Sequence, residues 1–507
     1  MKIIKRVTLP KIIMTMTIML LFIFIILPLS CNIDKNESIL VVETTTTAVI
    51  ETSTSTTDSV SWSKSYQNPV LVISPITGDE DYRQIDQVSL GTPHVIQNTS
   101  YKNYKYWMYY AGADGTSNNG SLEDDKCQKG YHHGLLKYIG LAFSVDGIEW
   151  TKYSKYGENG IATAIIDPTN GTYDEGGCLS PHVIFDGSIY RMWYTGVYFD
   201  DDPQDYNYPS DAHPTNFYNY LHHCIMYAES SDGITWVKKG RIAKLAPADD
   251  PYWLKNHTLG PWVIKDGNTY KMWFTGCRNR AFDAFVNPDT LMIEPPYEPY
   301  YEASIFSPYS EDYHTIGAAN CQIGYAEMAT PGSGNWTNDQ NWVRAANSIK
   351  EPNFKGWDNS FINIISGWRF SAATEVSVLK ISDKKYYMFY HAGVTSSSIG
   401  LSEGSISATS SSNTITWGSG TEILTKGNYY TWEGGGLRAP SVLIDKDANG
   451  ADCFKLWYQG TKFGNRYYNT PSTNNYDISN IGFATAIFVN TSSGTDSSSS
   501  GGATLGN

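Results

Sequence analysis

The sequence predicts an all-β fold, a five-bladed β-propeller, and three observations carry this prediction. An apolar run, a tight turn and an aromatic run ending near glycine recur in five copies, at residues 93–112, 181–196, 261–276, 375–393 and 440–460. A second hairpin follows the first in the early copies. The last copy lacks a fourth strand, whereas residues 62–75 resemble a fourth strand without its first three. Four-stranded units arranged radially, with a chain end completing the last unit, describe a propeller.

The hairpins follow from turn chemistry and from buried, aromatic-rich runs. In the second copy an apolar run reaches Asp186-Gly187 and then an aromatic run that contains Trp193. The second hairpin has the same signal at Asp146-Gly147 and is followed by a tryptophan. An Asp-Gly pair supplies the positive φ that tight hairpin turns require. Such runs are typical of buried strands, so we expect their large aromatic side chains to pack in the core; the examples are Trp193, Trp273 and Trp457.

The N-terminal residues 1–30 have the layout of an export signal, because basic residues precede an apolar run at 12–29. Cys31 follows Leu29-Ser30, which resembles the site where a lipoprotein signal is cut before a lipid-modified cysteine. An uncleaved N-terminal membrane anchor and plain secretion are the alternatives. All three predict an exported chain, and the first two predict tethering to a membrane of the cell envelope.

Composition divides the rest of the chain. Residues 31–60 are rich in Thr and Ser and predict a flexible tether, residues 61–488 form the repeat region, and the tail 489–507 is rich in Ser and Gly. The net charge of -14 and the lack of a basic cluster beyond the signal argue against nucleic acid as a partner.

Six of the seven cysteines follow Cys31, which makes disulfides plausible in an exported chain. Cys277 and Cys321 could close one long loop across neighbouring strands, and free buried thiols are the alternative. No Cys-x-x-Cys occurs, so we expect no structural zinc site.

The motifs Pro-x-Val-Ile, Tyr-x-Met-Trp-Tyr-x-Gly and Ile-Gly-Tyr-Ala-x-Ser resemble the superfamily of five-bladed glycoside hydrolases. This group includes arabinanases, β-xylosidases, fructan hydrolases and mannoside phosphorylases. The resemblance covers residues 61–488 and implies an oligo- or polysaccharide partner on the face that carries the long loops. It implies no organic cofactor. Some members hold calcium on the axis. No acidic loop of calcium-binding spacing occurs here, and an axial calcium ion stays open.

Glycoside cleavage needs two carboxylates that flank the glycosidic oxygen. In the resembling families a base Asp directly precedes the Pro of an innermost strand, and an acid Glu stands near the same point of another blade. The residues before Pro here are instead Thr92, Ser180, Gly260 and Ala439. The fourth copy has Glu375 in place of Pro, and we predict it as the general acid with Asp86 or Glu175 as the base. The alternative for the upstream acids is capping of the links between blades; the same applies to Asp174 and Glu433.

Four further residues lie close to the same ring in the repeat alignment and are predicted to bind the sugar: His94, His182, Trp262 and Arg438. The alternatives are a hydrogen-bonded structural role for the imidazoles, a plug on the axis for Trp262 and a salt bridge for Arg438. The leading functional hypothesis is therefore an exported glycoside hydrolase. The second is a non-catalytic glycan-binding or adhesion lipoprotein, and a site with Glu375 as its one carboxylate would favour it.

Overall fold

A computed structural model gives the fold, and it describes residues 61–75, 84–87, 89–114, 137–157, 161–199, 221–242, 245, 257–277, 285–286, 293–294, 321–330, 336–337, 342–344, 373–392, 398–406, 415–428, 430–462 and 479–487. The regular elements among these residues are all β-strands, which confirms the all-β prediction. They lie within one compact unit, Asp58–Asn507. The described part of the chain contains no helix that could span a membrane.

The strands follow the repeats seen in the sequence. In chain order they are β1 (Trp62–Lys64), β2 (Ser89–Gln97), β3 (Tyr106–Ala113), β4 (Tyr138–Ser144), β5 (Thr151–Lys152), β6 (Gly177–Phe185), β7 (Tyr190–Phe199), β8 (Leu221–Ser230), β9 (Val237–Arg241), β10 (His257–Asp266), β11 (Thr269–Cys277), β12 (Phe285–Val286), β13 (Ile293–Glu294), β14 (Cys321–Ala329), β15 (Trp342–Arg344), β16 (Ala373–Lys380), β17 (Lys385–Ala392), β18 (Ser398–Ser405), β19 (Thr416–Leu424), β20 (Gly436–Lys446), β21 (Asp452–Thr461) and β22 (Ser479–Ile487).

Antiparallel pairing groups these strands into blades. β2 to β5 form blade one, β16 to β19 form blade four, and β20, β21 and β22 with β1 form blade five. The remaining large sheet joins blade two (β6 to β9) to blade three (β10, β11, β14 and β15) through one parallel pairing between His257 and His223. The innermost strands β2, β6, β10, β16 and β20 contact one another in that order, and β20 contacts β2 again. The contacts of these five strands therefore close into a ring.

The N-terminal strand completes blade five, as the sequence predicts. Trp62 pairs with Ala486 and Lys64 pairs with Ala484, so β1 lies antiparallel to β22. The Trp62 ring stacks on Phe454 of the same blade at 5.8 Å between centroids. This closure and the propeller fold are thus confirmed.

The Asp-Gly turns close the outer hairpins by satisfying their own backbone. In blade one the Asp146 carboxylate accepts hydrogen bonds from the N–H groups of Ile148 and Glu149 at 2.8 and 2.9 Å. Gly147 adopts a φ of 88°, which favours glycine. The Trp150 indole donates to the Gly147 carbonyl at 3.1 Å. Blade two repeats these contacts at Asp232, Gly233 and Trp236.

The core lies between neighbouring blades and is built from the predicted aromatic runs. Trp193, Trp273 and Trp457 are fully buried, which confirms the expectation for these side chains. The buried cysteines Cys178, Cys224 and Cys453 are free thiols.

Along the antiparallel pairing of β11 with β14, the backbone of Cys277 lies opposite that of Cys321. The predicted disulfide between them stays a prediction. Cys31, the export signal, the tether and the tail lie outside the described residues, as do most of the long insertions.

Candidate functional site

The innermost strand of every blade begins with the same distortion. Each of these strands has a β-bulge, and the residue within it adopts a positive φ. These φ angles are 43° for Thr92, 47° for Ser180, 59° for Gly260, 44° for Glu375 and 47° for Ala439. Four of the five residues carry a side chain, although this region of φ and ψ space is strained for residues other than glycine. Such strain is often concentrated at binding sites, so the five bulges mark a candidate site.

The bulge register corrects the alignment of the fourth copy. The pairing shifts between Thr374 and Ser377 in blade four and between Gly91 and His94 in blade one. Glu375 is therefore equivalent to Thr92, the residue before proline, and Val376 replaces the proline. The expectation that Glu375 itself replaces proline was wrong by one residue. Glu375 occupies the position at which the resembling families carry their base Asp.

The five bulges surround a pocket at the centre of the ring. Its lining consists of Thr92, Pro93, Ser180, Pro181, Gly260, Pro261, Trp262, Glu375, Val376, Ala439 and Pro440. Glu375 is the one carboxylate among the described residues that line it, and its side chain is 15% exposed. The rest of the lining is apolar or uncharged. We call this site the axial pocket.

Glu375 is held from two neighbouring strands. Its Oε2 lies 3.1 Å from Nδ1 of His391 on β17. The His391 ring also lies within hydrogen-bond distance of the Thr374 hydroxyl, 2.6 Å from its Nε2. The carboxylate accepts a hydrogen bond from the backbone N–H of Ala439, and the positive charge of Arg438 acts on it from β20.

These contacts fix the charge of the pair. Burial raises the pKa of Glu375, but the hydrogen bond from His391, the charge of Arg438 and the Ala439 N–H together lower it below its ordinary value. Burial lowers the pKa of His391, and Glu375 only partly offsets this effect. At neutral pH Glu375 is therefore ionised and a neutral His391 donates to it.

The second strand of each blade shows why His391 is unusual. His391 pairs with Thr374 in the register in which Thr195 pairs with Leu179 and Thr275 pairs with Leu259. Those threonine hydroxyls accept from the bulge N–H groups of the following blade, at Gly260 and Glu375. Blade four places an imidazole at this position, and the Glu375 side chain bonds the next bulge instead.

The predicted ligand residues His94, His182 and Trp262 lie one residue beyond the bulge prolines. His94 donates through Nε2 to the Val183 carbonyl at 2.9 Å, and His182 donates to the Val263 carbonyl at 2.8 Å. The Trp262 indole donates to the Val378 carbonyl at 2.8 Å.

The side chains of His94, His182 and Trp262 thus each bond the innermost strand of the next blade, and blades four and five use serine at the same position. The Ser377 hydroxyl accepts from the Val442 N–H at 3.1 Å, and the Ser441 hydroxyl accepts from the Val95 N–H at 2.9 Å. Each blade is thus joined to the next by one side chain at the same register position.

These hydrogen bonds between neighbouring blades give the predicted ligand residues a structural role. The rings of His94 and His182 are buried, and their centroids lie 4.2 Å apart. Trp262 packs against both and also lines the axial pocket. Trp262 lines the axial pocket but is only 7% exposed and belongs to the core, and the two imidazoles are buried outside the pocket lining. Burial lowers the pKa of His94 to about 4 and lowers that of His182 as well, so both rings are neutral.

Asp86, a candidate base, lies in a different setting. It is fully buried and accepts from Lys152 Nζ at 2.6 Å and from the Tyr110 hydroxyl at 3.1 Å. Asp174 in blade two has the same partners, Lys238 at 2.6 Å and Tyr194 at 2.7 Å. In both blades the tyrosine comes from the second strand and the lysine from the outermost strand.

Blade five repeats this arrangement with Glu433. It is paired with Lys64 of β1 and accepts from the Tyr458 hydroxyl at 2.8 Å. We call Asp86, Asp174 and Glu433 the clasp carboxylates, because each fastens the outermost strand of its blade to the link ahead of the innermost strand. None of them lines the axial pocket.

Glu175 and Arg438 have separate places. The Glu175 carboxylate accepts from the Gly171 N–H at 3.0 Å within the link between blades one and two. It is not part of the pocket lining, so the structure does not bring the predicted base beside Glu375. Arg438 precedes the bulge residue Ala439, and its positive charge acts on Glu375.

The described residues do not fit an axial calcium ion. Calcium takes six to eight oxygen ligands, and the pocket lining supplies one carboxylate. No group of three or more His, Cys, Asp or Glu side chains suited to a metal occurs in the described ranges. His223, in the pair His222-His223, instead has its Nδ1 2.9 Å from Nδ1 of His257.

Comparisons with known proteins give relatives but no assigned family. No family model matches the chain. An uncharacterized protein of Mycobacterium tuberculosis strain H37Rv is 29% identical over 148 residues, which is 29% of this chain and 40% of that protein. An uncharacterized protein of strain CDC 1551 matches to the same extent. The chain thus spans less than half the length of the curated relatives it matches.

Solved structures with a similar arrangement include an N-acetylgalactosamine deacetylase from F. plautii, which is 12% identical with a TM-score of 0.45 over 83% of this chain and 96% of that chain. A thermostable family-43 glycoside hydrolase is 13% identical with a TM-score of 0.41 over 81% and 91%. An alpha-L-arabinofuranosidase from Lactobacillus brevis is 12% identical with a TM-score of 0.40 over 80% and 93%. At these identities and TM-scores, the likenesses carry no argument about activity.

Proposed function

We propose that this protein binds carbohydrate in the axial pocket and that Glu375 is the carboxylate that contacts the sugar. One observation supports this most directly: Glu375 is an ionised side chain held on a strained bulge, in a pocket whose other described lining is apolar or uncharged. A fixed carboxylate accepts hydrogen bonds from sugar hydroxyls. Trp262, which is only 7% exposed, adds a small apolar surface to the pocket lining.

The described residues place one carboxylate in the lining of the axial pocket, which favours binding over cleavage. Hydrolysis requires a second carboxyl group about 5 to 9.5 Å from the first. Asp86 and Glu433 are each paired with a lysine and a tyrosine outside the pocket lining. This arrangement supports the adhesion or glycan-binding hypothesis.

Glycoside hydrolysis is the second candidate, and the register of Glu375 favours it. Glu375 stands where the resembling families carry a base, and its lowered pKa suits a base or nucleophile better than the general acid expected from the sequence. The second carboxyl group would then come from outside the described residues.

The test uses the full-length protein with arabinan, xylan, fructan, mannan and aryl-glycosides. Glycan affinity and release of reducing sugar are measured for the wild type and for Glu375→Gln. Binding without release, lost in the variant, supports the binding proposal. Release that vanishes in the variant establishes the hydrolase. Neither binding nor release across the panel contradicts both.

We also propose export and tethering through a lipid on Cys31, on the basis of the signal layout of residues 1–30. Metabolic labelling with a radioactive fatty acid should mark the wild type and leave Cys31→Ala unlabelled. Label in both proteins would contradict lipidation at Cys31. A membrane-bound but unlabelled wild type would indicate the uncleaved anchor.

A further inference from the structure

The pair formed by Glu375 and His391 sets blade four apart from the other blades. At the position of His391, blades two and three have Thr195 and Thr275, whose hydroxyls accept from a bulge N–H. Blade five has Gln459 there, and its side-chain oxygen accepts from the Thr92 N–H at 3.1 Å. These three residues join blades through the backbone. The imidazole of His391 instead lies 3.1 Å from the carboxylate that lines the axial pocket.

The position of His391 suits it to orient a carboxylate. The residue is buried and is not part of the pocket lining, so it reaches a ligand only through Glu375. The Thr374 hydroxyl lies beside its ring, which limits rotation of the imidazole. Charge-assisted hydrogen bonds of this kind are about twice as strong as neutral ones.

Among the described residues, two further groups lower the pKa of Glu375. Arg438 on β20 contributes a positive charge, and the Ala439 backbone contributes one N–H group. The neighbouring residues of β10 and β11 that meet this bulge, Gly260 and Thr275, are uncharged. His391 is therefore the titratable side chain in direct contact with the carboxylate among the described residues.

We propose that His391 is the positioning residue of the axial site, which holds Glu375 in a fixed direction and keeps it ionised. The inference rests on the proposed function, because it gives Glu375 the ligand-contacting role. Removal of the imidazole donor leaves burial, which favours the neutral acid, opposed only by the Arg438 charge and the Ala439 N–H among the described groups. His391 thus lowers the pH at which the pocket changes from a carboxylate acceptor to a carboxylic acid donor.

The test measures the pKa of Glu375 by NMR on full-length protein labelled with ¹³C at the glutamate side-chain carboxyl. The signal is assigned by its loss in Glu375→Gln. In His391→Leu we expect the pKa of Glu375 to rise above that in the wild type, with at least a tenfold gain in proton affinity. In His391→Asn, whose amide nitrogen can take the place of Nδ1, we expect a pKa close to that of the wild type. A structural role alone would not produce this rescue.

A matched control removes a hydrogen bond from a clasp carboxylate. Tyr194→Phe takes one donor from Asp174 in blade two and should leave the pKa of Glu375 unchanged. An unchanged pKa in a folded His391→Leu protein would overturn the inference. Should that variant fail to fold, Thr374→Val removes the hydroxyl beside the imidazole, and an upward shift supports the inference whereas no shift overturns it.

Glycan affinity then separates this inference from the proposed function. If the wild type binds a glycan, the pH midpoint of its affinity should move upward in His391→Leu together with the pKa of Glu375. If the wild type binds none, the proposed function fails, and the NMR titration still decides whether His391 controls Glu375.

Discussion

The clasp carboxylates and Glu375 are all shielded acids on one scaffold, yet their charges are balanced in different ways. Asp86, Asp174 and Glu433 each have a lysine from the outermost strand and a tyrosine from the second strand. Glu375 has an imidazole partner and lines a pocket. A carboxylate paired with lysine and tyrosine inside a blade has little capacity left for a ligand. The place of an acid within its blade, rather than its residue type, therefore separates the structural acids from the candidate ligand-binding acid.

The largest expected effect comes from the buried imidazoles beside the axial pocket, which should make the fold less stable in mild acid. Burial lowers the pKa of His94 from 6.5 to about 4 and lowers that of His182 also. As pH falls from 6.5 toward 4, the unfolded state takes up protons that the folded state excludes, so stability decreases over this window. At about 1.4 kcal/mol per pH unit for each group, His94 alone accounts for about 3 kcal/mol.

Urea unfolding at a series of pH values measures this loss. His94→Gln should flatten the dependence between pH 6.5 and 4, whereas replacing an exposed residue such as Tyr66→Phe should not. A wild-type free energy of unfolding that stays constant over this window would contradict neutral, buried imidazoles on the axis.

Removal of a clasp carboxylate should give the next largest loss of stability. Asp86→Ala leaves Lys152 and Tyr110 without their carboxylate partner, and breaking a buried ion pair typically costs 3–5 kcal/mol. The Lys152 side chain is 18% exposed, so we expect the lower end of that range, about 3 kcal/mol. Urea unfolding at neutral pH gives the value.

Glu375→Gln provides the comparison for that measurement. It should cost only about 1 kcal/mol, because the hydrogen bond with His391 loses the charge of its acceptor, while the amide retains the shape of the side chain and an acceptor for the Ala439 N–H. Equal losses in the two variants would remove the distinction between clasp carboxylates and the axial acid.

The smallest effect concerns the strained bulges. Ala439 has a φ of 47°, and the equivalent residue of blade three is Gly260. Ala439→Gly should stabilise the fold by about 1 kcal/mol through relief of left-handed strain. Gly260→Ala should cost about the same. The added Cβ would meet Glu375 Cγ at 3.4 Å, an ordinary contact, so this variant isolates the backbone effect.

Thermal unfolding of both variants checks this prediction. Melting temperatures that move in opposite directions support strained bulges. Two shifts of the same sign would contradict the assignment of strain to these positions.

Much of the fold could be predicted because blade packing and turns repeat in the sequence. The Asp-Gly turns located hairpin ends, the aromatic runs located buried strands, and the truncated fifth copy indicated that β1 pairs with β22. The clasp of Glu433 needs Lys64 from β1, and no local pattern connects these two residues, which lie near opposite ends of the repeat region.

The candidate site was harder to predict from the sequence, because blade four departs from the repeat. Without a proline as marker, Glu375 was aligned one residue too far along, and only the bulge register corrected this. His391 was missed as a partner because it precedes Ala392 rather than the glycine that follows Thr195 and Thr275. A strand-to-strand alignment opposite Thr374 would have found it. Contacts of Asp86 with Lys152 depend on folding of the blade and leave no local pattern.

The central claim is that Glu375 is the ligand-binding acid and the clasp carboxylates are not. Its most direct test compares the glycan affinity of the wild type, Glu375→Gln and Tyr458→Phe. The last variant removes a hydroxyl outside the axial pocket, which donates to Glu433 and accepts from Asn68. We expect Glu375→Gln to lower affinity at least tenfold, which corresponds to about 1.4 kcal/mol, while Tyr458→Phe binds as the wild type does. Wild-type affinity in Glu375→Gln would contradict the account.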